Sequence, residues 1–140
     1  MTIRVFVYGT LMTGQRNHHW MRGAVWLGRA TSPRGFLLWS VGQYPVACPG
    51  GRSRIRGEVY RLSVAHLYRL DVLEEFPRFY QRRLVNTRFG LAWMYYQSTP
   101  PAGARWLFGG DWRRNRAGNE IRRGFRGVEA TQGRCADCSG

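Results

Sequence analysis

The chain has 140 residues, 44% of them hydrophobic and 14% aromatic, which is enough for one domain with a real core and too short for a second catalytic one. A formal charge of +14 suggests phosphate partners, but all 22 basic residues are Arg, a bias that a GC-rich coding sequence produces by itself, and eight of them fall between Arg105 and Arg134. The excess therefore reads as a solvated basic tail, and with no apolar run of membrane-spanning length and no signal-peptide core a cytoplasmic protein without a membrane partner is expected.

In chain order, Ile3, Val5 and Val7 alternate with Arg4, Phe6 and Tyr8, the period-two pattern of a half-buried strand. Asn17 is placed to cap a short helical turn through Met21, and Val25 to Ala30 resumes an extended pattern. Gly35 to Trp39 is a further strand. The stretch from Ser40 to Arg54 holds Gly42, Pro45, Pro49, Gly50 and Gly51 and is predicted to be largely loop. Ile55 to Leu62 reads as a strand, and Ser63 as the N-cap of one main helix over Val64 to Glu75. Tyr80 to Thr87 and Leu91 to Tyr96 flank Arg88-Phe89-Gly90 as an antiparallel hairpin. The prediction is an α+β fold: a small, mixed, barrel-like sheet with one main helix and a short helical turn. Periodicity fades after Pro100, giving a domain over 1–114 and a basic, poorly ordered tail over 115–140.

Three cysteines, Cys48, Cys135 and Cys138, make no disulfide framework. Cys135 and Cys138 have the spacing of half a zinc site, with no second pair to complete it, so no metal and no cofactor are expected.

The first strand runs into Tyr8-Gly9-Thr10-Leu11. Gly9 lacks the Cβ that would block close backbone approach, and the amides of Gly9, Thr10 and Leu11 can line one concavity for a carboxylate or an oxyanion. An ordinary glycine turn explains the same four residues.

Among eight acidic residues, Asp71, Glu74 and Glu75 cluster at the end of the predicted helix. At about 100° per residue Val64, Leu67, Leu70 and Leu73 define the apolar stripe; Glu74 falls inside it, Asp71 at its edge and Glu75 further out. A carboxylate on that face, at the negative end of the helix dipole, resists ionisation and suits general acid/base work. The competing reading is an ion pair with Arg78 or Arg82. Glu58, inside a predicted strand, reads as a supporting carboxylate with a fixed partner. Arg82 is a candidate to balance Glu58 or Glu75. Tyr8 and Tyr44 are either pocket walls or ordinary sheet aromatics.

Tyr8-Gly9-Thr10-Leu11 followed by Gly14 and Asn17-His18 resembles the opening signature of the gamma-glutamylcyclotransferase-like family, and its gamma-glutamylamine cyclotransferase branch above others. Gly42-Gln43-Tyr44-Pro45, Gly57-Glu58-Val59-Tyr60 and Leu70-Asp71-Val72-Leu73-Glu74 through Tyr80-Gln81-Arg82 follow in the same order, with a weaker echo at Gly110-Asp111-Trp112. The resemblance implies a small mixed β-barrel with helices and a cyclotransferase, of carbon–nitrogen lyase or acyltransferase type, that turns a γ-glutamyl substrate into 5-oxoproline. It also implies Glu74 as the catalytic acid/base, Tyr8, Gly9, Thr10, Leu11, Tyr44, Pro45 and Tyr80 as substrate-binding residues, and Glu58 and Arg82 as supports.

Two other classes compete. One is a non-catalytic small-molecule binding module of the same fold; the other is a nucleic-acid adaptor acting through the Arg-rich tail, marked by steep salt dependence. A triad hydrolase is disfavoured, because His18, His19 and His66 have no neighbouring nucleophile pattern.

Overall fold

A computed structural model describes residues 2–114; the basic tail expected over 115–140, with Cys135 and Cys138, lies outside them. Eight strands form two sheets: β1 (Thr2–Val7), β2 (Val25–Thr31), β3 (Phe36–Ser40), β4 (Pro45–Pro49), β5 (Arg56–Ser63), β6 (Gln81–Thr87), β7 (Gly90–Tyr96) and β8 (Arg105–Trp106). The larger sheet has the order β2-β5-β1-β7-β6, and the smaller β4-β3-β8. Among the described residues only β1 and β7 pair in parallel and the other ladders are antiparallel, so the sheet is mixed as predicted. β1 is central, with Val5, Phe6 and Val7 buried from both sides, which is why its pattern is apolar beyond simple alternation.

The helix α1 (Val64–Glu74) crosses from β5 to β6. Ser63 caps it as predicted, its Oγ accepting the His66 N–H at 3.0 Å. It stops one residue earlier than expected: Glu75 turns into the left-handed region at φ 55°, and its N–H and that of Phe76 close the last turn onto Val72 and Asp71 carbonyls. The following Pro77 disfavours any continuation.

Two local predictions are corrected. The Ser40–Arg54 stretch is loop only on either side of a strand, because Pro45 to Pro49 pairs with β3 throughout. Both prolines sit at the strand's ends and the strand is at a sheet edge, where a missing N–H costs little, while Val46, Ala47 and Cys48 between them are buried. Asn17 precedes a 3-10 turn over His18–Met21, but its side chain makes no cap bond; its Nδ2 donates instead to Thr10 Oγ1 at 3.1 Å. After Pro100, β8 joins β3, and Leu107 and Trp112 are buried, contacts too short in sequence to show a period.

Glycine is required in β5 beside the end of its partner strand β1. A Cβ on Gly57 would lie 2.2 Å from the Val7 carbonyl oxygen and 2.9 Å from the Phe6 ring. Gly57→Ala is expected to cost about 1–3 kcal/mol, the range for overpacking a core, read as a lower urea midpoint at an unchanged slope.

Candidate active site

Glu74 is the last residue of α1, and its side chain is wholly buried. Neither carboxylate oxygen has a hydrogen-bond partner among the described residues, so neither Arg78 nor Arg82 neutralises it. Burial pushes its pKa well above the ordinary 4.5, and the negative charge of Asp71 adds to the rise. An unpartnered buried carboxyl is costly when ionised, and therefore sits as the neutral acid over a wide pH range.

Asp71 has the opposite environment. It is not at the edge of the stripe, as the helical projection placed it, but buried with His66, Leu67, Leu70 and Glu74. Its Oδ1 and Oδ2 accept from Arg82 Nε and Nη2 at 2.8 and 2.9 Å, a forked pair, and Oδ1 also accepts the Tyr95 hydroxyl at 2.7 Å. The Arg82 guanidinium lies 4.4 Å from the Phe76 ring centroid and 4.5 Å from that of Trp93. Arg82 thus balances Asp71, not Glu58 or Glu75: β6 and β7 bring it opposite Tyr95, beside the helix. One carboxylate is ion-paired and hydrogen-bonded, and the other has no partner among the described residues.

Tyr8 opens the turn at the end of β1. Its hydroxyl donates to the Tyr95 carbonyl at 2.8 Å and accepts the Ala47 N–H at 3.1 Å, joining the two sheets. Burial raises its pKa strongly, and the Glu74 charge is among the further causes, which puts the carboxyl within electrostatic reach of this phenol. Tyr95 is raised in the same way, with Glu74 again contributing after burial and Asp71. Tyr8 is therefore a fixed wall rather than a proton donor. Tyr8→Phe leaves the Ala47 N–H and a buried carbonyl unsatisfied, and a loss of about 1–3 kcal/mol by urea unfolding is expected.

Beyond Tyr8, the turn folds on its own carbonyls: Met12 N–H donates to Gly9 O and Asn17 N–H to Thr10 O. Within each trans peptide the N–H points away from the C=O, so the Thr10 and Leu11 amides are directed opposite to those bonds. Thr10 and Leu11 are buried. Glu58 anchors the next residues: its Oε1 accepts Thr13 N–H at 2.9 Å, Thr13 Oγ1 at 3.2 Å and the Tyr60 hydroxyl at 3.0 Å, while Oε2 pairs with Arg113 at 3.3 Å. Tyr60 is pushed up to about 12, chiefly by burial. Glu58 is thus a carboxylate with its lone pairs engaged.

Tyr80 is fully buried, and its hydroxyl donates to the Pro45 carbonyl at 2.8 Å. Its ring meets Phe79 and Tyr95 edge-on, and Phe79 meets Tyr44 at 6.1 Å. Tyr44, Pro45, Phe79, Tyr80, Tyr95 and Tyr8 therefore form one connected wall, tied to α1 through the Tyr95–Asp71 hydrogen bond. Sequence reasoning missed Tyr95 and the Arg113 partner of Glu58; nothing local separates Tyr95 from Tyr96.

The profile of the family described as "Gamma-glutamyl cyclotransferase, AIG2-like" matches residues 5–114. The chain belongs to this family. Within the cyclotransferase family it is 43% identical over 110 residues to the gamma-glutamylcyclotransferase family protein ytfP of Citrobacter rodentium, covering 79% of this chain and 95% of that one. It is 30% identical over 97 residues to gamma-glutamylaminecyclotransferase A of Danio rerio, covering 63% of this chain and 60% of the relative. A crystal structure of an uncharacterised protein from Pyrococcus horikoshii superposes with a TM-score of 0.74 at 27% identity, over 86% of this chain and 98% of that one. Membership agrees with the α+β fold read from the sequence, and no helix among the described residues is long and apolar enough to cross a membrane.

Proposed function

We propose that this cyclotransferase-family chain closes the γ-glutamyl group of a small substrate on itself, releasing an amine and 5-oxoproline. The observation that carries the reading is the buried carboxyl of Glu74, which has no hydrogen-bond partner among the described residues and whose charge acts on Tyr8, the residue that opens the glycine turn. The α-amine nitrogen forms the bond to the γ-carbonyl carbon, the γ-amide C–N bond breaks, and the two protons that the α-ammonium sheds in becoming the lactam N–H pass in turn through Glu74 to the leaving nitrogen, which departs as an ammonium. No external nucleophile is needed. Amides of the Gly9-Thr10-Leu11 turn hold the α-carboxylate or the developing oxyanion, and Tyr44, Pro45 and Tyr80 shape the wall that keeps the chain folded. Alignment of amine and carbonyl supplies the larger share of the barrier reduction, about 7–11 kcal/mol for well-oriented intramolecular reactions.

Because the reacting form is the deprotonated one, kcat/KM should climb with pH through a value above the ordinary carboxylate range. The Tyr8-Gly9-Thr10-Leu11 turn and the Danio rerio relative favour γ-glutamylamines as substrates over glutathione. A cytoplasmic setting fits a substrate of that kind. The test is incubation of the purified protein with γ-glutamyl amines, γ-glutamyl amino acids and glutathione, with 5-oxoproline quantified. Release from any of them supports the reading; 5-oxoproline binding without turnover of any would favour a non-catalytic module.

A further inference from the structure

On the β2–β5 side of the molecule four arginines from four separate segments meet at one cleft of about 290 Å³. Arg29 comes from β2, Arg56 from β5, Arg88 from the β6–β7 turn and Arg113 from the segment after β8; Asp111 is the lining carboxylate. None of Tyr8, Tyr44, Glu74 or Tyr80 lines it, so the inference stands apart from the cyclising reading.

The cleft is assembled by the pairing and packing of separate elements, with its arginine side chains reaching solvent. In the β2–β5 ladder Arg29 opposes Glu58 and Thr31 opposes Arg56, so Arg29 and Arg56 leave the same face of the strand pair. Arg88 is held by its own neighbour: its guanidinium stands 4.5 Å from the centroid of the Phe89 ring. That ring in turn packs onto β2, where a Cβ on Gly28 would lie 2.7 Å from it. Arg113 is drawn to the buried Glu58. Among the described residues, the ion pairs use Arg82 and Arg113; Arg29, Arg56 and Arg88 have none. Three cations without an ion-pair partner at one concavity repel one another unless an anion joins them.

We propose that this cleft binds a diphosphate group, free or carried on a small molecule. Guanidinium forks match phosphate oxygens in pairs, which a point charge does not require. A volume near the lower end of ligand cavities, about 300 Å³, suits a small anion. Four converging arginines against two carboxylates, Asp111 and the Glu58 that pairs with Arg113, leave an excess of two positive charges, which calls for more than a single negative charge.

The test is calorimetric titration of the full chain with inorganic pyrophosphate, ADP and sulfate at equal ionic strength. Saturable one-site binding of pyrophosphate or ADP, at least tenfold tighter than sulfate, is expected. ADP binding tighter than pyrophosphate would put the diphosphate on a nucleoside, and the reverse order would leave it free; both support the site. The double variant Arg29→Gln/Arg56→Gln, at exposed positions, should weaken binding at least tenfold with an unchanged urea midpoint. Arg122→Gln/Arg123→Gln, in the basic tail, should not alter it. Binding no tighter than sulfate, or lost with the tail variant and retained by the cleft variant, would overturn the proposal.

Discussion

Glu74→Gln is expected to lower kcat for 5-oxoproline release by about two to four powers of ten, the usual contribution of general acid/base catalysis, while KM changes little. The glutamine keeps the volume and polarity of the neutral acid but carries no proton that can be exchanged. The same change should not destabilise the protein, because the wild-type carboxyl has no hydrogen bond to lose. Its effect on stability depends on pH in a defined direction. In the fold Glu74 stays protonated above 4.5, where the unfolded chain has already lost that proton, so the folded state binds more protons and stability falls as pH rises. The slope reaches about 1.4 kcal/mol per pH unit between the unfolded value and the raised folded one. Glu74→Gln removes this term, and urea midpoints of variant and wild type should diverge in the variant's favour across that window. Equal turnover would take Glu74 out of the mechanism; a parallel pH dependence of stability would contradict its burial as a neutral acid.

Asp71→Asn should produce the largest loss of stability of any single substitution in the wall, about 3–5 kcal/mol. Its pair with Arg82 has side chains only 12% and 11% exposed. Removing one charge strands the other between Phe76 and Trp93 and sets an amide N–H against guanidinium donors. A second readout distinguishes this from simple loosening. Asp71 is the charge that adds to the burial of Glu74 in raising its pKa, so the ascending limb of kcat/KM should move to lower pH in Asp71→Asn. It should still lie above 4.5, since burial is the larger cause. A limb at the wild-type position in a variant of reduced stability would mean that Asp71 only holds the structure.

Much of this was legible in the residues. β1, β5, the Ser63-capped helix and the hairpin follow from period and capping, because each buries one face against a neighbour. Glu74 fell inside the apolar stripe, but the residues alone left an ion pair with Arg78 or Arg82 open, and the family resemblance singled it out. What failed were features decided by partners distant in sequence. Asp71 looked peripheral on a helical projection, yet Arg82 and Tyr95 from the hairpin enclose it. Asn17 looked like a cap until Thr10 offered a competing acceptor. β4 was hidden because Pro45 and Pro49 are turn signals in sequence and harmless strand ends in an edge position. The arginine cleft had no local mark at all, since its four side chains are spread over 85 residues, from Arg29 to Arg113.

The most direct test is a carbon-13 titration of the glutamate side-chain carboxyls, with the Glu74 signal assigned by its disappearance in Glu74→Gln, repeated with 5-oxoproline present. A signal that holds its protonated shift well above pH 4.5, and that moves when 5-oxoproline is added, is the result expected. A Glu74 signal that titrates at the ordinary value of 4.5 and ignores 5-oxoproline would contradict the account.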